Sequence, residues 1–239
     1  MEKPALSIVI PCFNEQQRIE TAFAGALSAI ESSKVTAEVI IVDDGSTDHT
    51  LRQGLDLCDT DERFTIISRP HAGKGAAIRE GVKLCKGDIV FTADADWSMP
   101  PEQIVRFLER FKQDPRAQVV ISSREIEGAV RYEEPLRRHI VGRAFNIFVR
   151  AVILEGIQDS QCGFKAYRSD AAKRLFSALT TDGWAFDVEI LARAKKLQLN
   201  VEEIPIDWTY DGDTRLNTLS DAITMTLAVI RLKCKLLQD

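Results

Sequence analysis

The chain has 239 residues, enough to bury a full core and near the upper end of what one α/β domain holds. Hydrophobic residues make up 45% and charged residues 28%, the balance of a soluble globular protein, and the net charge of −5 excludes a general nucleic-acid binder, which needs a basic surface. Five scattered cysteines without a CxxC pair fit reduced, cytosolic thiols better than a disulfide framework or a zinc site.

Residues 1–4 lead straight into an apolar run at 6–10, so no signal peptide is expected, and no apolar run approaches the ~18 residues a spanning helix requires. Residues 6–10 read as a strand ended by Pro11, followed by an Ala-rich helical pattern to about Ser33. The loop between them carries Pro11, Phe13 and Glu15, which either grip a flat, hydrogen-bonding ligand such as a nucleobase or cap the helix. A second strand over 38–42 ends in Val42 and runs into Asp43-Asp44-Gly45-Ser46, where Gly45 permits a tight turn before a helix to about Leu57. A third strand, 64–68, leads through Arg69-Pro70-His71-Ala72-Gly73-Lys74-Gly75 into a helix reaching about Cys85. This loop is neither a Walker loop nor a dinucleotide fingerprint, because the required Gly and Ser/Thr positions are missing. It leaves Lys74 at a helix N-terminus as a phosphate neighbour, and His71 as a loop histidine without a partner at metal spacing.

The fourth apolar run, 88–92, breaks off into Asp94-Ala95-Asp96. Continued as a strand, it sends both acids off one face, at the carboxyl end of a parallel sheet, where ligands bind. Two adjacent acids repel unless a cation or proton joins them, and oxygen ligation of this kind suits Mg²⁺ or Mn²⁺ bridging to a phosphate. The plainer reading is a turn that caps the helix beginning near Pro101. A second acidic tip at Asp43-Asp44 in the same sheet favours a site over a cap.

A helix over 102–112 and a strand over 117–122 follow, the latter delivering Arg124; this alternation predicts a doubly wound sheet. The pattern then changes. Residues 135–154 form a helical segment with Arg137 and Arg138 at its start, His139, Arg143, Asn146 and Arg150 on one face, and no acid until Glu155. It is either a solvated face or a contact for an anionic partner, phosphate groups or a lipid surface. Asp159-Ser160-Gln161-Cys162-Gly163-Phe164-Lys165 is too polar for core; it leads into a short strand and a helix over 169–179. Gly183-Trp184-Ala185-Phe186-Asp187-Val188-Glu189 opens a helix to about Leu199, 201–208 reads as a closing strand, and 211–217 as a mixed-charge loop holding Arg215. The last helix, 217–237, is apolar around more than half its circumference, with Arg231 and Lys235 on its polar strip; one side is expected in the core and the other against a dimer partner or a bilayer.

Pro-x-Phe-Asn-Glu, Val-Asp-Asp-Gly-Ser, Gly-Lys-Gly, Asp-Ala-Asp, and the two late motifs Asp-Ser-Gln-Cys-Gly-Phe-Lys and Trp-Ala-Phe-Asp-Val-Glu together resemble the inverting GT-A glycosyltransferases. Within them, the late pair is most similar to the dolichyl-phosphate β-glucosyltransferase branch of the polyprenyl-phosphate sugar synthases. The resemblance covers 6–208. It implies a GT-A fold: a Rossmann-like, mostly parallel, doubly wound sheet in a single domain over 1–239, with a nucleotide-binding half at about 1–124, an acceptor half at about 125–215 and a C-terminal amphipathic helix at about 217–237. It implies that Pro11, Phe13, Glu15, Val42, Asp43 and Asp44 hold the base and ribose, with Lys74, Asp94 and Ala95 also on the nucleotide. It places Asp94 and Asp96 on Mg²⁺ or Mn²⁺, Arg124 near the phosphates, and Arg138, Arg143 and Arg215 toward the acceptor phosphate or over the donor. Asp94, Asp96 and Arg124 are thus the implied catalytic set, and Asp187 is a base or a residue that fixes its loop.

Two departures matter. Ser98 stands where the mannosyl branch has a Gln metal ligand, and the N-terminal spanning segment of eukaryotic glucosyl relatives is missing, so attachment to the inner face of a membrane from the cytoplasm is expected to be peripheral. The implied activity is transfer of glucose from UDP-glucose to a polyprenyl phosphate, with no nucleic-acid partner and a homodimer as one option. The alternatives are GDP-mannose as donor, a soluble acceptor served by Asp187 as base, or a non-catalytic sugar-nucleotide-binding scaffold.

Overall fold

The computed structural model describes residues 3–212 and 218–236, with side chains left aside at 218–223 and 236. Four strands open the chain, each followed by a helix: β1 (Leu6–Cys12), α1 (Ile19–Ser33), β2 (Ala37–Asp43), α2 (Thr50–Cys58), β3 (Phe64–Ser68), α3 (Lys74–Leu84), β4 (Ile89–Thr92) and α4 (Ile104–Gln113). The strands are apolar runs because both their faces are covered: every residue of β1 from Leu6 to Ile10 is fully buried. In α4, Ile104, Phe107, Leu108 and Phe111 are buried at spacings of three and four, the stripe that docks a helix on a sheet. Each such side chain contributes ~1.5–3 kcal/mol through burial.

The second half supplies β5 (Val119–Ser123), β6 (Val130–Tyr132), α5 (Leu136–Val152), β7 (Lys165–Arg168), α6 (Ser169–Ser177), α7 (Phe186–Lys196), β8 (Val201–Pro205), β9 (Asp207–Thr209) and α8 (Thr218–Leu236). Both halves build one seven-stranded sheet in the order β3-β2-β1-β4-β7-β5-β8. The one antiparallel member is β7, which lies between β4 and β5. Its reversal has a consequence for the site. The start of β7 meets the end of β4, Thr92 opposite Lys165, so the Asp159–Lys165 motif arrives at the edge where the parallel strands end.

Two elements differ from the sequence expectation. The closing strand breaks at Ile206 into β8, which joins the main sheet, and β9, which pairs with β6 in a separate two-stranded ribbon. Three-residue β6 carries no periodicity to read. The sheet's two faces carry separate cores, one under α1 and α4 with Phe91, Trp97 and Phe164, the other under α3, α6 and α7 with Tyr167, Phe176 and Phe186. α1 is drawn tight by Trp97, whose Nε1 donates to Ala22 O at 3.0 Å; Gly25 leaves room for the indole. Among the described residues no helix is long and apolar enough to cross a membrane.

Candidate active site

A cavity of about 610 Å³ opens beyond the carboxyl ends of β1, β2, β4 and β5 and reaches α5 and α8. At one end lie Phe13, Asp44 and His71. β2 ends at Asp43, and the turn through Gly45, with φ +76°, sends Asp44 into the cavity wall. The Asp44 carboxylate is 4% exposed and meets Arg69 Nη1 at 2.7 Å and His71 Nδ1 at 2.8 Å. It also accepts the N–H of Gly73 at 2.7 Å. The His71 ring stacks on Phe13, centroids 4.1 Å apart, giving a flat aromatic face beside a buried carboxylate. Stacking surface and in-plane acceptor are what a nucleobase with a ring N–H requires.

In the middle stand the acids. β4 stops at Thr92, so a turn rather than the strand's pleat brings Asp94 and Asp96 together, and it closes with Trp97 at φ 44°. Asp94 Oδ1 lies 2.6 Å from Lys74 Nζ, delivered by the N-terminus of α3. Asp96 Oδ1 accepts the Ser98 N–H at 3.1 Å, so the acid also shapes its turn. Burial and the neighbouring Asp94 carboxylate push the Asp96 carboxyl up. Lys74 is opposed by burial, yet the charges of Asp94 and Asp187 outweigh it and push its ammonium up. Gly163, two residues before β7, presses on Asp94 so closely that a Cβ would sit 2.6 Å from the Asp94 Cγ. Behind them the buried Lys165 Nζ reaches Asp187 Oδ1 at 2.6 Å and Cys162 O. Burial pushes the Asp187 carboxyl up, and Lys165 and Lys74 offset that only in part.

Cationic groups face these acids from the second half. Arg124 grips the fully buried Asp159 with two bonds, Nε at 2.7 Å and Nη2 at 3.0 Å, and its guanidinium lies 5.2 Å from the Trp208 ring. Burial pushes Asp159 up, but Arg124 and the N–H groups of Arg124 and Gln161 outweigh it and hold the carboxyl well below the usual range. At the α5 end, Arg138 sits 4.8 Å from the Tyr210 ring and 4.0 Å from Glu134, with Val141, Phe145 and Met225 forming an apolar wall.

The cavity gathers Pro11, Phe13, Glu15, Asp44, Lys74, Asp94, Ala95, Asp96, Arg124, Arg138 and Asp187 from the sequence-derived set. Val42, Asp43 and Arg143 lie outside its lining. Val42 is buried in the sheet. Asp43 turns back to accept from Ser68 Oγ at 2.8 Å and Ser46 N at 3.2 Å. Arg143 is turned to Glu125 at 3.1 Å. Arg215 falls outside the described residues.

The cavity also holds groups whose contacts the sequence did not reveal. Arg131 of β6 bridges Glu125 at 2.5 Å and Glu134 at 2.6 Å, and the same two acids meet α5, Glu134 at His139 Nδ1 (3.0 Å) and Glu125 at Arg143 (3.1 Å). His71, a loop residue as expected, is also tied to Asp44, through a loop closure that no spacing announces. Trp184 stands 5.3 Å from Lys74 Nζ. Ser98, in place of a Gln, accepts from Trp208 Nε1 at 2.9 Å.

Among the described residues no group of three or more His, Cys, Asp or Glu side chains forms a metal cage. Asp94 and Asp96 nonetheless fit a hard divalent ion: an ammonium already lies against one, the other is pushed toward protonation, and Mg²⁺ or Mn²⁺ commonly uses one or two carboxylates with phosphate oxygens and water completing its shell.

Residues 7–176 match the family model described as glycosyl transferase family 2. The dolichyl-phosphate beta-glucosyltransferase of Homo sapiens is 33% identical over 217 residues, 85% of this chain and 67% of that relative. Its namesake from Saccharomyces cerevisiae is 32% identical over 253 residues, 97% of this chain and 75% of the relative. Among solved structures, glucosyl-3-phosphoglycerate synthase from Mycobacterium tuberculosis, crystallised with Mn²⁺, UDP and glucosyl-3-phosphoglycerate, is similar with a TM-score of 0.72 at 20% identity, covering 97% of this chain and 80% of that one. The shared fold is GT-A: a mostly parallel central sheet with flanking helices.

Proposed function

The chain belongs to glycosyl transferase family 2, and from that premise we propose that it moves glucose from UDP-glucose onto a polyprenyl phosphate, with inversion at the anomeric carbon and with Mg²⁺ or Mn²⁺ as cofactor. The observation that carries this reading is one cavity whose walls change character along its length. Phe13 and Asp44 suit a base, Lys74, Asp94 and Asp96 suit a metal diphosphate, and Arg138 beside Val141, Phe145 and Met225 suits an anionic head group with an apolar tail. The names of the human and yeast relatives support the lipid-phosphate acceptor.

Each residue then has a role that follows from charge. Breaking the bond to the anomeric carbon loads negative charge on the leaving nucleoside diphosphate, and Lys74 and Arg124 offset it within a partly desolvated site. A divalent cation held by Asp94 and Asp96 would add Lewis-acid stabilisation of the same oxygens. Arg138 draws the acceptor phosphate toward the donor against the repulsion of two anions, a positioning effect. A phosphate acceptor is already ionised near neutral pH, so no general base is required. Asp187, locked to Lys165, has the orienting role, holding the loop that presents Trp184 to Lys74. In this division the donor half is 1–124 and the acceptor half 125–215.

The lipid reading extends to the outer surface. Leu136, Ile140 and Ile147 of α5 and Leu227 and Ile230 of α8, the two helices that the cavity reaches, are large apolar side chains left exposed. Set among Arg137, Arg231 and Lys233, they suit the cytoplasmic face of an anionic bilayer, a peripheral contact.

The test is a donor and acceptor screen: purified protein with UDP-glucose, GDP-mannose or UDP-N-acetylglucosamine, a polyprenyl phosphate, and Mn²⁺ or Mg²⁺. The expected product is a β-linked lipid-phosphate glucose from UDP-glucose, lost on chelation by EDTA and restored by added metal. Product from GDP-mannose alone would move the donor assignment, and product only on soluble acceptors would remove the lipid.

A further inference from the structure

The segment that leads into α7 puts a large aromatic side chain where the core gains little from it. Trp184 lines the cavity and is 43% exposed, whereas Trp97 and Trp208 are 7% and 6% exposed. An indole left this open forgoes much of the burial that makes tryptophan stabilising, so its place at the cavity calls for another reason. The roles above use it only as a neighbour of Lys74.

The segment that carries it is firmly held. Glu189, fully buried, accepts the N–H of Thr180 at 3.0 Å and that of Thr181 at 2.8 Å. Asp182 O accepts the Ala76 N–H at 3.2 Å, and the Asp182 carboxylate meets Arg79 Nη2 at 2.8 Å. Gly73 lies so near that a Cβ there would sit 2.6 Å from Asp182 O. On the other side of Trp184, the Phe186 N–H donates to Gly183 O at 3.2 Å and the Phe186 ring is buried. The chain before Trp184 is thus docked on the first turns of α3, the helix that begins with Lys74. The Trp184 ring centroid lies 5.3 Å from Lys74 Nζ, and Lys74 Nζ lies 2.6 Å from Asp94 Oδ1, so a single ammonium group stands between the indole and the acids.

From this placement we infer that Trp184 is a platform for the donor sugar: its indole packs against the C–H face of the hexose being transferred. The inference rests on the sugar-nucleotide reading of the cavity and deepens it. Connectivity and charge carry the step. The anomeric carbon is bonded to the diphosphate, so the hexose begins beside whatever holds the diphosphate, and Lys74 has that role. The face of an aromatic ring is negative and repels phosphate oxygens, which Lys74 already serves. A pyranose with equatorial hydroxyls instead presents carbon-bound hydrogens above and below its ring, apolar and weakly positive, and these match an indole face. The acceptor's tail is apolar as well, but the wall that suits it, Val141, Phe145 and Met225, belongs to α5 and α8 beside Arg138.

The experiment is calorimetric titration of wild-type, Trp184→Leu and Trp184→Phe protein with UDP and with UDP-glucose in Mn²⁺, alongside tryptophan emission, thermal unfolding and kinetics. The ratio of the UDP-glucose Kd to the UDP Kd should rise by about tenfold in Trp184→Leu and by less than about threefold in Trp184→Phe, which keeps an aromatic face. UDP affinity should stay within about twofold of wild type and the unfolding midpoint within about 2 °C, as for other half-exposed positions. UDP-glucose should shift wild-type emission to shorter wavelength beyond the shift that UDP gives, by covering the open indole, and Trp184→Phe should lose that extra shift. In Trp184→Leu the KM for UDP-glucose should rise by about tenfold with the KM for polyprenyl phosphate unchanged. Equal losses of UDP and UDP-glucose affinity would make Trp184 a support for Lys74, and a raised KM for the lipid alone would put it on the acceptor. Either result overturns the inference, as does an unchanged Kd ratio in the leucine variant. Wild-type protein that bound neither UDP nor UDP-glucose would sink the functional reading along with it.

Discussion

At the scale of single residues, the site depends on close approaches that leave no slack. Gly163 is the sharpest case: its missing side chain is the space in which the Asp94 carboxylate sits, and the Asp94 position is in turn what faces Lys74 at 2.6 Å. Gly163→Ala should therefore push Asp94 off its position, with the backbone held by Thr92 unable to retreat. Mn²⁺-dependent UDP affinity is expected to fall by about tenfold or more, measured by calorimetry, for an overpacking cost of ~1–3 kcal/mol in stability. An alanine variant that bound UDP and Mn²⁺ normally would show that Asp94 has room to move. The glycine itself was visible in the sequence, but its partner was not: 69 positions separate it from Asp94, and only the antiparallel entry of β7 brings them together.

At the scale of elements, α5 and α8 set the protein apart from a sheet-and-helix sandwich that covers all its apolar surface. On α5, Leu136, Ile140 and Ile147 recur at four and seven residues on one face and are 72%, 58% and 58% exposed. α8 buries Val229 and Leu232 and leaves Leu227 and Ile230 open. Exposed apolar stripes on adjacent helices suit an interaction face, and on the proposed lipid reading the basic residues around them suit a negatively charged bilayer. Replacing Ile140 and Ile147 by Asp should cost little stability, since each is a surface change worth about ±0.5 kcal/mol. Binding to vesicles containing anionic phospholipid should drop by about tenfold or more, read by flotation, with UDP affinity retained. Unchanged flotation, or a wild-type dimer that the double variant splits, would assign the face to a second copy of the chain.

At the scale of the whole molecule, the buried pair Arg124–Asp159 ties the segment that follows β5 to the one that leads into β7 and couples stability to pH. The folded-state pKa of Asp159 lies below that of an unfolded aspartate, about 3.9, so the unfolded chain binds the proton more readily. The sign follows: the stability this carboxylate contributes is complete above about pH 4 and is lost as the pH falls through the folded value. Asp159→Asn leaves Arg124 buried against a neutral amide and should destabilise the protein by ~3–5 kcal/mol at neutral pH while flattening the acid limb of the stability curve. Urea unfolding of both proteins across the acid range checks both; parallel acid limbs would show that the pair does not govern acid unfolding.

The sequence alone determined the strand and helix alternation through α4, the acidic strand tips and the motifs that place the chain among its relatives, because period, turn chemistry and local spacing are properties of neighbouring residues. Tertiary structure decided the rest. The break of the last strand into β8 and β9 depends on two different pairing partners, not on any local signal. Reading α5 as a basic helix left out Glu125 and Glu134, which precede it and pair with its Arg138, His139 and Arg143. Val42 and Asp43 were indistinguishable from their neighbour Asp44 until the turn at Gly45 chose which carboxylate faces the cavity. The pairing of His71 with Asp44 and of Arg124 with Asp159 are facts of distance and burial; side-chain chemistry is written in the sequence, but which groups a fold brings within hydrogen-bonding reach is fixed only when the chain closes on itself.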